Sequence, residues 1–94
     1  MTNEEIWNIG LEERTDELSK LQSEYDRLDV ECRKAEFEKD MYARLRDVNN
    51  AMLYKQKFSE KYEKCARASE KLTKQKNALE NEISVLKKEI YYIN

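Results

Sequence analysis

No proline and no histidine occur in this 94-residue chain, and its one glycine is Gly10. Lacking those breakers, the chain is short of the turn chemistry that a compact fold with several reversals requires. The missing histidines remove the side chain that most often serves as a neutral-pH base or metal ligand. Two cysteines, Cys32 and Cys65, lie too far apart for any metal or redox spacing. No apolar run approaches the roughly 18 residues of a membrane span. The N-terminal MTNEEIWNIGLEE lacks the basic-then-apolar order of a signal peptide. These absences point to a cytoplasmic, non-enzymatic protein with no cofactor, no metal and no membrane insertion.

What is present is charge and helix-forming residues. Asp, Glu, Lys and Arg make up 40% of the chain, and Leu, Ala and Gln add to them. Such a composition, with apolar residues at threes and fours, marks a long helix. The clearest pattern lies near the C-terminal end. Leu72, Leu79, Leu86 and Ile93 recur at sevens, with Lys76, Ile83 and Ile90 in the second column. That is a coiled-coil seam. A lone helix has no interior, so the stripe predicts burial against another helix.

Thr2 followed by Glu5 reads as a capping box, with Glu4 beside the positive end of the helix dipole. Ile6, Trp7 and Ile9 cluster just after it, either as an aromatic anchor for a partner or as a seal over the end of the bundle. From Leu11 a first heptad phase runs through Leu11, Leu18, Tyr25 and Cys32, with Arg14, Leu21, Leu28 and Ala35 in the other column. Reading back from Ile93 gives a second phase through Tyr62, Cys65, Phe58, Ala51, Val48 and Met41. The two phases miss by two residues, about 200° on a straight helix.

Three resolutions exist: local overwinding with a seam through Ala35, Tyr42, Leu45, Val48 and Met52, a bend or reversal at Asp47-Val48-Asn49-Asn50, or extra helices covering both faces. With no Gly or Pro there, the sequence favours a mostly continuous helix, about 140 Å long at 1.5 Å per residue. The predicted fold is thus an all-α coiled coil, a parallel homodimer in the first instance, with a phase break and wider bundle around residues 36–57. An acidic segment 1–35 precedes that region, and a basic, then zipper-like segment 58–94 follows it.

Orientation draws on opposed arguments. Ile83 and Ile90 in one column, with Leu79 and Leu86 in the other, suit a parallel dimer, and Glu82 and Lys87 are placed to pair across it. Against this, residues 1–40 hold thirteen acids and six bases, whereas residues 41–94 hold seven acids and twelve bases. An antiparallel arrangement would lay the acidic half on the basic half. Exposed pairs contribute about 0–1 kcal/mol and buried Leu or Ile about 1.5–3 kcal/mol, so packing outweighs charge locally.

The predicted seam comprises Leu11, Leu18, Leu21, Tyr25, Leu28, Phe58, Tyr62, Leu72, Leu79, Ile83, Leu86, Ile90 and Ile93. Surplus apolar residues in the middle, Met41, Tyr42, Leu45, Met52, Leu53 and Tyr54, form a candidate partner surface, since adaptable Met and Tyr suit docking. Bases between Lys55 and Lys76 precede the leucine repeat, as in a basic-zipper protein. Phe58, Glu60, Tyr62 and Glu63 among those bases do not suit a groove-reading helix, so no nucleic acid is expected. The expected role is oligomerisation of a larger cytoskeletal or scaffold protein, or else docking of another protein by an adaptor, tether or motor stalk. The chain stops on Ile90-Tyr91-Tyr92-Ile93-Asn94 with its stripe still apolar, which suggests a longer parent.

Overall fold

The computed structural model describes residues 1–93; Asn94 lies outside them. Two helices, α1 (Asn3–Val48) and α2 (Met52–Ile93), fold back on each other as an antiparallel hairpin measuring 74 × 14 × 14 Å. The fold is all-α and coiled-coil-like.

α1 starts as its sequence directs. Thr2 adopts an extended backbone, and its Oγ1 accepts from the Glu5 amide at 3.2 Å, while Glu4 and Glu5 occupy the positive end of the dipole. Gly10 sits inside the helix, where its carbonyl accepts from Arg14 Nη1 at 3.2 Å. α1 then runs unbroken for 46 residues.

The course of the chain differs here from a continuous rod and from a parallel two-chain seam. Asn49, Asn50 and Ala51 form a three-residue connection, within the usual length for two antiparallel helices. Asn49 is extended (φ −96°, ψ 124°), and its Oδ1 accepts from the Ala51 amide at 3.2 Å. The Ala51 carbonyl then accepts from the Lys55 amide at 3.0 Å, opening α2. No described residue has a positive φ. This reversal therefore needs neither the left-handed freedom of glycine nor the fixed φ of proline, and an asparagine side chain supplies the punctuation.

The reversal also accounts for the two-residue phase slip. On α1 the seam keeps one rhythm of threes and fours from Leu11 through Ala35 and on through Lys39, Tyr42, Arg46 and Asn49, all at least half-buried. On α2 it runs through Phe58, Tyr62, Cys65, Ser69, Leu72, Lys76, Leu79, Ile83, Leu86, Ile90 and Ile93. Neither helix needs overwinding, because the phases meet at a turn. The polar Lys39 and Arg46 hide the first rhythm from a hydrophobicity reading, while Met41 and Val48 extend the second rhythm falsely into α1.

Contacts across the hairpin step down one helix and back up the other. Trp7 Nε1 donates to the Ile93 carbonyl at 2.6 Å, and Arg14 meets Glu89 at 3.3 Å. Lys76 reaches Asp29 at 2.5 Å, Cys32 Sγ lies 3.4 Å from Thr73 Oγ1, and the Tyr42 and Phe58 rings stack at 6.3 Å. The core is Leu28, Leu79 and Ile83, packed by Leu18, Leu21, Tyr25 and Leu72. Antiparallel closure lays acidic α1 on the more basic α2. It also brings the seam together through a short loop, which costs far less entropy than joining two chains.

Candidate interaction surface

The predicted seam residues all lie at least half-buried between the helices, with Leu28, Leu79, Ile83 and Leu86 buried. Of the candidate surface residues, Tyr42 belongs to the seam, stacked on Phe58 with Lys61 Nζ 5.4 Å from its ring centroid. Met41, Leu45, Met52, Leu53 and Tyr54 are exposed. Met52 and Leu53, at 80% and 74% exposure, project from the first turn of α2 beside the connection.

Two residues outside both predicted sets, Val30 and Phe37, complete the pattern on α1. Both are exposed, Phe37 to 69%. At 100° per residue, Val30, Phe37, Met41 and Val48 fall within about 40° of arc, with Leu45 beside them. That stripe faces nearly opposite to the seam residues Leu28, Ala35, Lys39 and Arg46, and so points away from α2. Sequence reasoning missed Val30 and Phe37 because they fit neither column of the folding seam. Their seven-residue spacing, repeated by Met41 and Val48, is the signal that could have found them.

An apolar cleft of about 280 Å³ lies on this face, lined by Phe37, Asp40, Met41, Arg44 and Leu45. Other hollows, such as one of about 530 Å³ lined by Glu17, Leu21, Asn81, Glu82, Val85, Leu86 and Glu89, are open grooves along the helix pair. Among the described residues, no group of three or more His, Cys, Asp or Glu side chains is placed to hold a metal ion. No described helix is long and apolar enough to cross a membrane.

Among the described residues, no fully buried side-chain nitrogen or oxygen lacks a hydrogen-bond partner. The Lys76 ammonium, hydrogen-bonded to Asp29, holds that carboxyl below its ordinary value despite partial desolvation, and Arg33 adds to the effect. The same hydrogen bond raises Lys76, whose ammonium also lies 5.3 Å from the Tyr25 ring centroid. Burial first, then the Glu38 carboxylate, pushes the Cys65 thiol up. Both cysteines are free thiols. Trp7 ties the helix ends together through its indole N–H, as a seal would, though its ring stays 58% exposed.

The fold and surface define a coiled-coil hairpin with a second apolar stripe outside its seam. Comparison with protein-family models, curated proteins and solved structures finds no match to the chain.

Proposed function

We propose that this chain is a non-enzymatic structural element whose hairpin joins copies of itself, as an oligomerisation segment of a cytoskeletal or scaffold assembly. The observation that carries this reading is the outward stripe of Val30, Phe37, Met41, Leu45 and Val48. A two-helix coiled coil needs one apolar stripe per helix, and α1 has two. Apolar residues aligned over five helical turns and left in water favour association over a solvated helix face.

Light scattering across a hundredfold range of protein concentration tests the reading. Association that increases with concentration is expected, with helicity unchanged. A monomer at every concentration would sink it.

A second reading, docking of a different protein, draws on Met52, Leu53 and Tyr54 at the turn, flanked by Lys55 and Lys57. Under that reading Leu53→Glu weakens capture of the partner and leaves self-association intact.

A further inference from the structure

We infer that the turn end of the hairpin is an end-on contact for an anionic lipid surface. Val48, Met52 and Leu53 enter the boundary between headgroups and acyl chains, and Arg44, Lys55 and Lys57 lie among the anionic headgroups. The contact is peripheral, since no described helix is long and apolar enough to cross a membrane. It goes beyond the self-association proposed above and does not depend on it.

Val48, Met52 and Leu53 are 75%, 80% and 74% exposed, and they stand on either side of the three-residue connection. At 100° per residue, Met52, Leu53 and Tyr54 leave α2 in three different directions. They form a convex cap. A groove that receives a helix reads residues three and four apart on a single face, which this cap does not offer. The end of a hairpin 14 Å across in both short directions is also smaller than the roughly 800 Å² per partner of a standard protein interface. A lipid surface is fluid and conforms to a convex cap, so a few apolar side chains hold it when charge adds to them.

The charge is there. Residues 43–58 hold Arg44, Arg46, Lys55 and Lys57, with Asp47 as the sole acid. Among the described residues, Arg46 is held by Asp47 at 3.3 Å, whereas Arg44, Lys55 and Lys57 take part in no ion pair. Helix stability does not call for these lysines. The first turn of α2 contains no acid and ends on Lys55, although the dipole there favours acids. Lysine stems are long enough to keep an ammonium among phosphates while neighbouring apolar groups go deeper, and each base adds attraction to an anionic leaflet.

The open end supplies a contrast within the molecule. Ile6, Trp7, Tyr91 and Tyr92 are exposed there as well, so apolar exposure alone does not single out the turn. Residues 1–17 hold six acids and one base, Arg14, and Lys87 and Lys88 across from them leave that end acidic. An anionic surface therefore draws in the turn and repels the open end, which stands the rod upright.

Flotation of the full chain with phosphatidylcholine vesicles, with and without phosphatidylserine, tests the contact. Capture only by the serine-containing vesicles, released by high salt, is expected. Leu53→Glu, and Lys55→Gln combined with Lys57→Gln, should each weaken capture about tenfold or more while retaining the dilute-sample helical melt. Orientation is read by quenching from bromine on the acyl chains. Leu53→Trp in a Trp7→Phe background should be quenched, and the native Trp7 at the far end should not. Equal capture by both vesicle types, or by neither, would overturn the inference. So would variants that bind like wild type, or quenching of the native Trp7. A chain that ignores vesicles but loses a protein partner on Leu53→Glu would place a protein at the turn and overturn it too. Light scattering reads self-association separately, so the two proposals fail independently.

Discussion

From Leu11 to Cys32 the hairpin puts leucines and a tyrosine into its seam, opposite Leu72, Leu79, Ile83 and Leu86; from Ala35 to the turn it puts Lys39, Tyr42 and Arg46 there. Among the described residues, the buried apolar ones, Leu28, Cys32, Leu79, Ile83 and Leu86, lie in the first of these regions. The turn half is held by amphipathic side chains. Tyr42 stacks on Phe58, and the Arg46 guanidinium lies 5.2 Å from the Tyr62 ring centroid. Such cation–π contacts contribute about 0.5–1 kcal/mol at exposed sites, against about 1.5–3 kcal/mol for a buried leucine. The turn half nevertheless has many apolar residues, with Phe37, Met41, Val48, Met52 and Leu53 facing water. One region concentrates its hydrophobicity on holding the helices together, and the other directs it outward. Local stability should follow, with amides near the turn exchanging faster than those around Leu79.

The comparison presupposes the reversal, and the largest effect tests it directly. Probes at Lys20 and Lys87 should lie within about 20 Å of each other in the hairpin, whereas 67 residues of continuous helix would separate them by about 100 Å. A long distance measured by electron spin resonance would break the hairpin outright. Next in size is a contrast between the two regions. Leu79→Ala, in the core, should cost about 2–4 kcal/mol in a denaturant or thermal melt. Leu53→Ala, at the turn, should move the melt by about 0.5 kcal/mol or less. Equal losses would mean that the turn surface is packed after all. Asn49→Ala removes the acceptor for the Ala51 amide and should cost about 1 kcal/mol in the same melt, with no change in helix content of the open-end half.

The smallest effect is electrostatic and belongs to the open-end half. Asp29 is held below its ordinary 3.8, so its contribution to stability is present above that value and is lost as pH falls through the depressed one. Lys76 is raised above 10.5, so its contribution is present below that value and is lost as pH climbs through the raised one. Melting temperature should therefore be level across neutral pH and fall below about pH 4. Asp29→Asn should shrink the acid-side fall without abolishing it, because Glu24, paired with Arg27, is also lowered. A variant with an unchanged acid profile would remove the Asp29–Lys76 pair from the account.

Much of this molecule was legible from periodicity. Thr2 and Glu5 marked the helix start, and the heptads at Leu11–Ala35 and Phe58–Ile93 marked the seam, because those patterns depend only on 3.6 residues per turn. The middle was less legible for a physical reason. Lys39 and Arg46 can line a seam by packing their aliphatic stems while keeping their charges in water, so hydrophobicity understates them. Met41 and Val48, apolar but outward, lengthened the wrong phase.

Composition and spacing by themselves determined an all-helical chain that must cover one stripe with another helix. Tertiary structure decided which helix does the covering. The asparagine after Val48 caps its own connection, so the covering helix is the chain's own second half. It likewise decided the role of each apolar residue in the middle, since once the seam faces inward, Val30, Phe37, Met41 and Val48 can only face out.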